Sequence, residues 1–309
     1  MKDLILFIMP TNIGDFILAS PVMNFIKNKY PDLKWIVIAG KAPLELLIIN
    51  NNVLKTYPVE DFKGIKGKIR LFILLRKYSF KAIIDLRKTL FPFILSANKK
   101  YFRFSKGNSH VLIEHLKILG KDFPKQFPGY PSFSNYKDNA VAKNIVLPLR
   151  NSSYSPIIII NPDANWKHKR WKPEYWERLL EILSENFNKA HFIITGLNKR
   201  INVKGHNITD LTGKLSLREL AALLSQGDIF ITNDSGPMHL SVSVNTPTLG
   251  IFGPSLPKKY APYGKKHIYY KNTSRCEKCL LTKCDKDFWC LKNTAPETIA
   301  ELAVQLLNG

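Results

Sequence analysis

The sequence has no long apolar run, few acidic residues, and cysteines in only one short segment. No stretch approaches the roughly 20 apolar residues that a membrane span needs, and residues 4–9 are too short for the core of a signal peptide. All four cysteines lie between 276 and 290, which excludes a disulfide framework spread along the chain. We therefore expect a cytoplasmic protein.

The usual phosphate-binding loops are also missing from the start of the chain. The first apolar run, LILFIM, breaks into PTNIGD and is followed by a helical pattern. Neither G-x-G-x-x-G nor a Walker lysine occurs there. The glycine and the carboxylate of this loop therefore need another explanation.

The charge is strongly basic and unevenly distributed. There are 46 basic against 24 acidic residues, a net charge of +22. Residues 1–150 hold 25 of the basic and 10 of the acidic residues, and within 62–106 the only acid is Asp85. Two interpretations stay open: a solvated lysine-rich surface, or a face for polyanions such as nucleic acid, anionic membrane or a phosphorylated glycolipid.

Continuous apolar runs alternate with amphipathic segments, a pattern typical of parallel sheets covered by helices on both faces. Strands are predicted at 3–9, 34–39, 81–85, 156–160, 190–195, 228–232 and 247–252. The proline- and serine-containing region 122–155 indicates a linker, after which SPIIIINPDA repeats the strand-and-turn plan. The sequence predicts two doubly wound Rossmann-like α/β domains, 1–150 and 151–309. A last helix at 295–307 could pack back on the first domain.

Three polar loops follow predicted strands, where ligands bind in such sheets. They are TNIGD at 11–15, NPDANWKHKRWKPEYW at 161–176 and NDSGPMH at 233–239. Lys167, Lys169 and Arg170 could hold a phosphate, and a helix starting near Ser235 would offer free N–H groups to an anion. The alternatives are structural: Asp15 or Asp234 as a helix N-cap, a solvated basic turn, and His239 as a surface histidine.

Taken together, these segments resemble a known family. N-I-G-D-x-I-L-A-S-P, W-K-x-K-R-W, D-L-T-G-K-x-S-L-R-E-L-A-A-L-L at 210–224 and N-D-S-G-P-M-H are similar to the bacterial ADP-heptose:lipopolysaccharide heptosyltransferases, glycosyltransferase family 9. The resemblance implies a GT-B architecture, with two Rossmann-like domains facing across a cleft. The first would bind the acceptor and the second the nucleotide-sugar, in an inverting, metal-independent transfer.

The resemblance also implies roles for individual residues. Asp15 matches the catalytic base, and Lys169 matches a lysine that binds the donor's phosphates. The remaining donor-binding candidates are Asn165, Leu215, Asp234, Ser235, Gly236 and His239. The acceptor-side candidates are Asn12, Gly14 and Arg87.

Elementary chemistry agrees with these roles. One inverting displacement needs one carboxylate to take the proton of the acceptor hydroxyl. The leaving diphosphate is a weak base and needs positive charge rather than a proton donor. One feature departs from the family: some relatives carry an acid shortly after the glycine that ends the strand at 190–195, whereas this chain reads TGLNKR. The identity of the donor therefore stays open.

The cysteines follow the spacing C-x2-C-x4-C-x5-C. This supplies one zinc knuckle and two looser ligands, namely Cys276, Cys279, Cys284 and Cys290. A structural zinc or iron, reduced thiols and one cysteine pair are all compatible with this pattern. Catalysis is expected to need no cofactor, and Asp285-Lys286-Asp287 lies inside the cysteine segment rather than after a strand, so we do not interpret it as a metal motif.

The sequence thus predicts an enzyme that moves a heptose-type sugar from a nucleotide-sugar, ADP-heptose by resemblance, to a lipopolysaccharide core acceptor. It would work in the cytoplasm or peripherally at the inner leaflet, and nucleic acid is not expected as a partner. The alternatives are a non-catalytic protein that binds polyanions and a different nucleotide-sugar transferase or epimerase of the same fold.

Overall fold

The structure is a computed structural model that describes residues 4–102, 107–273, 284 and 287–309. Contacts within the chain define two compact units, Met1–Phe133 and Ser134–Gly309. Each unit contains one parallel sheet with helices, which confirms the predicted α/β class with two doubly wound sheets. In the described part of the chain, no helix combines the length and apolar character needed to cross a bilayer.

The first unit is built on a five-stranded parallel sheet with the strand order β3-β2-β1-β4-β5. Its strands are β1 Leu4–Ile8, β2 Lys34–Ala39, β3 Val53–Pro58, β4 Phe80–Asp85 and β5 Ala97–Phe102. Its helices are α1 Ile13–Lys29, α2 Lys41–Leu44, α3 Gly64–Leu75, α4 Phe91–Ile94 and α5 Val111–Leu116. Short 3-10 turns lie at Glu45–Leu47, Val59–Phe62 and Lys117–Asp122.

The central strands are apolar throughout because both faces of the sheet are covered. All five residues of β1 are buried. On one face Leu6 packs in a core cluster with Leu71 and Leu75 of α3. Alternate residues point to the other face, where Phe7 meets Trp35 edge to face with ring centroids 5.0 Å apart.

The second unit is built on a six-stranded parallel sheet with the strand order β11-β10-β9-β6-β7-β8. Its strands are β6 Ile157–Asn161, β7 His191–Ile194, β8 Ile208–Asp210, β9 Ile229–Asn233, β10 Thr248–Ile251 and β11 His267–Tyr270. Its helices are α6 Tyr136–Asn151, α7 Pro173–Asn186, α8 Leu217–Leu224, α9 Gly236–Ser243, α10 Pro257–Tyr260, α11 Trp289–Lys292 and α12 Pro296–Asn308. A 3-10 turn spans Lys167–Lys169.

Each sheet has a point at which the strand order reverses. In the first sheet β1 lies between β2 and β4, and in the second β6 lies between β7 and β9. Ligands of open α/β sheets bind outside the carboxyl ends of the strands at such a switch point. The loops after β1, β4, β6 and β9 are therefore the places to look for a site.

Helix α6 lies inside the region predicted to be a linker. Asn135 and Asp138 form a capping box at its start, and Asp138 Oδ1 accepts a hydrogen bond of 3.0 Å from Arg218 of α8. Arg150, near its end, pairs with Asp228 at 2.8 Å. The local composition does not predict this helix, because contacts with residues distant in the sequence stabilise it. By its contacts α6 belongs to the second unit.

The last helix, α12, packs within the second unit. It contacts α7, and Ile299, Ala300 and Ala303 are buried in the same core cluster as Trp176 of α7.

Candidate active site

The TNIGD loop brings a carboxylate into the first turn of a helix beyond β1. Asn12 occupies the N-cap position of α1, so the alternative that Asp15 is the N-cap is wrong. Asp15 is half-buried in the first turn, and its Oδ2 accepts a hydrogen bond of 3.5 Å from Asn12 Nδ2. Gly14 is helical and has no positive φ. The loop therefore presents Asp15 near the positive end of the dipole of α1.

The position of this loop depends on a glycine that sequence reasoning missed. A Cβ atom on Gly40, directly after β2, would lie 2.1 Å from the carbonyl oxygen of Thr11. No larger residue fits without moving the loop. The sequence signal for this role is a glycine immediately after a buried strand.

The loop after β4 carries Arg87 at the same edge of the first sheet. Leu86 N donates to Ile8 O at 2.9 Å and so joins the ends of β4 and β1. Asp85 is buried and accepts bonds from Arg87 N at 2.8 Å and from Thr89 N at 2.6 Å. The structure thus places the acceptor-side candidates and Asp15 at the start of α1 and in the loop after β4, on the two sides of the switch point of this sheet.

In the second unit, Lys169 and Asp234 form an ion pair. Lys169 Nζ lies 2.6 Å from Asp234 Oδ2, and the aspartate is almost fully buried. Lys169 follows β6 and Asp234 follows β9, so the pair spans the switch point of the second sheet. Lys169 Nζ also lies 5.9 Å from the centroid of the Trp166 ring. These contacts fix the ammonium group at the edge where a ligand would bind.

Asn233 joins three segments around this ion pair. The residue is fully buried at the end of β9. Its Oδ1 accepts a bond of 3.0 Å from Trp171 N, and its Nδ2 donates one of 2.8 Å to Pro162 O. Trp171 Nε1 in turn donates to Thr294 O at 3.0 Å. One amide side chain therefore holds the loop after β6 against the loop after β9.

Helix α9 begins immediately beyond Asp234. Ser235 occupies its N-cap position, with Gly236 as its first helical residue, so the alternative that Asp234 is the N-cap is wrong. His239 is buried rather than a surface histidine, so that alternative is wrong too. The first turn directs backbone N–H groups and the positive end of the helix dipole towards the strand edge.

Asp163, in the loop after β6, is an acid that sequence reasoning passed over. It is buried and accepts bonds from Arg200 Nε at 2.7 Å and from Asn198 N at 3.1 Å. Burial alone would raise the pKa of Asp163, but the hydrogen bonds from Arg200 and Asn198 outweigh it and hold the pKa below its usual value. The segment TGLNKR contains no acidic residue, but its Asn198 and Arg200 contact Asp163 from the loop after β6.

Asn165 and Leu215 lie farther along the same strand edge. Asn165 is exposed, and its carbonyl oxygen is 3.5 Å from Arg170 Nη2. Leu215 is half-buried directly before the N-cap of α8, in a loop tied to the end of β7 by Gly213 N donating to Gly196 O at 2.8 Å. Their donor-binding role stays a prediction.

The cysteine segment is only partly described. Cys276 and Cys279 lie outside the described residues, and among those that are described no group of three or more His, Cys, Asp or Glu could hold a metal. Cys284 Sγ accepts a bond of 3.2 Å from Phe288 N. The structural metal therefore stays a prediction. Phe288, between Cys284 and Cys290, stacks on His168 with the ring centroids 4.2 Å apart, so this part of the cysteine segment supports the cationic turn.

Comparison with known proteins points to one family. The model of Glycosyltransferase family 9 (heptosyltransferase) matches residues 110–289, more than half of the chain. A lipooligosaccharide heptosyltransferase 2 from Campylobacter jejuni is 27% identical, and the match covers 97% of each chain.

Solved structures of similar fold agree. A glycosyl transferase of family 9 from Veillonella parvula has a TM-score of 0.77 at 18% identity and covers 99% of this chain and 97% of its own. The ADP-heptose lps heptosyltransferase II of E. coli has a TM-score of 0.75 at 19% identity, covering 100% of this chain and 99% of its own. These likenesses confirm the GT-B fold.

Proposed function

This chain belongs to glycosyltransferase family 9, and on that premise we propose that it moves a heptose-type sugar from a nucleotide-sugar to a lipopolysaccharide core acceptor, with Asp15 as the general base. The names of similar proteins suggest ADP-heptose as the donor and a lipooligosaccharide or lipopolysaccharide as the acceptor. The reaction would be a single inverting displacement.

The observation that carries this proposal is the Lys169–Asp234 ion pair in front of α9. A nucleoside diphosphate leaving group develops negative charge that needs fixed positive charge and N–H donors. Asp234 holds the ammonium group of Lys169 at the switch point, and the first turn of α9 supplies backbone donors. This arrangement suits a diphosphate without a metal ion.

On the acceptor side, Asp15 would take the proton of the attacking hydroxyl. It is half-buried in the first turn of α1, so the residue is not enclosed in the core. Arg87, in the neighbouring loop after β4, would meet the carboxylates and phosphates of an anionic core oligosaccharide. Such an acceptor is anchored in a membrane, so we expect the enzyme to work in the cytoplasm at the inner leaflet.

A donor panel followed by a transfer assay tests the proposal. ADP-heptose should raise the melting temperature of the chain more than UDP-, GDP- or CDP-sugars at equal concentration, because a ligand that binds the folded state stabilises it by mass action. The same donor should then be consumed only when a core acceptor is present. Stronger stabilisation by another nucleotide-sugar would identify that compound as the donor. Turnover without an acceptor would support an epimerase instead.

A further inference from the structure

Helix α3 exposes a row of isoleucines to solvent. Ile65, Ile69 and Ile73 are 78%, 53% and 48% exposed. They are spaced four residues apart, so they lie along one side of the helix. Large β-branched side chains in such a row are unusual on a surface that contacts only water.

The opposite side of α3 holds the helix firmly on its unit. Leu71 and Leu75 are buried in the core cluster beneath the helix. Gly67 lies against the Phe62 backbone, where an added Cβ would come within 2.4 Å. The helix therefore cannot turn its isoleucines inwards without losing this packing.

Basic residues border the isoleucine row on both sides. At 100° per residue, Lys66 and Arg70 lie on one side of the row and Lys68 on the other. Segment 63–77 contains six basic residues and no acidic one. The Arg70 guanidinium donates to Asp61 O at 2.7 Å and lies over the Phe62 ring, so its stem is anchored beside the row.

Helix α4 carries further exposed apolar side chains. Phe91, the first residue of α4, and Leu95, directly after the helix, pack in the same core cluster as α3, so both helices cover the same face of the first sheet. The side chains at this helix that are more than half exposed are Leu90, Phe93 and Ile94. We name these three residues and the isoleucine row together the α3–α4 face.

We propose that the α3–α4 face docks on an anionic lipid bilayer. Apolar side chains bordered by lysine and arginine match an interface in which the hydrocarbon boundary lies beneath negatively charged headgroups. A second copy of this chain fits less well, because the basic borders of two copies would repel each other. Nucleic acid fits less well too, because it offers no apolar surface for the isoleucines.

Docking there would bring the first unit's candidate site close to the lipid. Helix α4 follows directly on the loop that carries Arg87 after β4. An acceptor that projects from the same bilayer would then reach the strand edge without leaving the membrane. This inference concerns where the enzyme sits and does not depend on which sugar it transfers.

Vesicle flotation with the full chain tests the proposal. We expect binding to phosphatidylcholine vesicles containing phosphatidylglycerol, and at least tenfold weaker binding to phosphatidylcholine alone or at high salt, because each basic residue near an anionic surface strengthens binding about fivefold. The triple variant Ile65→Ser, Ile69→Ser, Ile73→Ser should lose at least tenfold. Lys66→Ser with Lys68→Ser should weaken binding to anionic vesicles only.

A matched pair of exposed residues provides the control. Ile69→Ser should weaken vesicle binding, whereas Leu147→Ser on α6, which is 58% exposed, should leave it unchanged. Melting temperatures and donor binding should stay at wild-type values in all variants. Equal binding by the triple variant, or equal binding to neutral and anionic vesicles, would overturn the proposal. A dimer in solution that Ile69→Ser dissociates would assign the face to self-association instead.

Discussion

Lys169 Nζ lies 2.6 Å from Asp234 Oδ2, which joins the loops that follow two neighbouring strands of the second sheet. The side chain of Asp234 is almost fully buried, and about a quarter of the Lys169 side chain is exposed. The aspartate therefore lies inside the protein and orients a lysine that a ligand can still reach.

Removing Lys169 should impair both stability and donor binding. Lys169→Ala leaves a buried carboxylate without its cation, so we expect a loss of about 1–3 kcal/mol in the free energy of unfolding. Donor binding should weaken at least tenfold, about 1.4 kcal/mol. Urea denaturation and calorimetric titration with the nucleotide-sugar measure the two effects. Lys189→Ala, at an exposed lysine of the same unit outside the site, is the control and should leave the free energy of unfolding unchanged and donor affinity within about twofold.

The ion pair also allows a double variant. Lys169→Ala with Asp234→Asn removes the uncompensated charge, so part of the lost stability should return. Donor binding should not return, because the ammonium group is still missing. Recovery of donor binding in the double variant would show that Lys169 acts only on stability.

Replacing Asp15 should affect transfer alone. Asp15→Asn keeps the shape of the side chain and removes its basicity, so the rate of transfer should fall by about 10²–10⁴-fold. Donor affinity should stay within about twofold in a binding assay. Asp32→Asn, at an exposed aspartate of the same unit, should behave as the wild type. Near-normal turnover by Asp15→Asn would remove this residue as the base.

Gly40→Ala should act on Asp15 at a distance. The added methyl group collides with the carbonyl oxygen of Thr11, so the loop leading to Asp15 has to move. Displacement of a catalytic group by about 1 Å can cost around 10²-fold in rate. We expect a fall in kcat with unchanged donor binding. Wild-type kcat in this variant would mean that the loop position does not limit the reaction.

Acid should destabilise the protein through His115, whose ring Nε2 is buried. Burial lowers the pKa of His115 to about 4, and an unfolded histidine titrates near 6.5. Between these values the unfolded chain binds more protons, so the stabilising contribution is complete above about pH 6.5 and declines as the pH falls towards 4. One such group contributes at most about 3 kcal/mol.

Two variants separate this effect from general acid denaturation. His115→Gln should flatten the dependence of the free energy of unfolding on pH between 6.5 and 4, measured by urea denaturation. His206→Gln, at an exposed position, should keep the slope of the wild type. Identical slopes for wild type and His115→Gln would contradict the assignment.

Phe288 should influence donor binding although it lies far along the chain from the basic turn. Its ring stacks on His168 within the turn that ends at Lys169. Phe288→Ala removes this support, so we expect KM for the donor to rise several-fold with little change in kcat. Phe127→Ala, which removes an aromatic pair with Tyr130 in the first unit, should leave KM unchanged.

The central strands could be predicted from the sequence, and the edge strands could not. The predicted strands correspond to β1, β2, β4, β6, β7, β9 and β10, which are buried apolar runs. The missed strands are β3, β5, β8 and β11, and each lies at an edge of its sheet. An edge strand such as ANKKYF is largely exposed and carries lysines, so it lacks the continuous apolar signal.

The candidate site shows the same division between local and distant information. The loops after β1, β6 and β9 could be located because each follows a buried strand and carries polar residues. The contacts that position these loops could not be predicted, because they join residues more than a hundred positions apart in the sequence. Trp171 donates a hydrogen bond to Thr294 O, and Phe288 stacks on His168. The role of Gly40 likewise could not be predicted, because it depends on the packing of Thr11 against it.

Asn233 has a consequence for how a ligand is received. Its amide fastens Pro162 and Trp171 in place through buried hydrogen bonds, so these loops lose their conformational freedom when the chain folds rather than when a ligand arrives. An incoming molecule would then meet an ordered loop after β6, and its binding would not carry the entropy cost of ordering that loop.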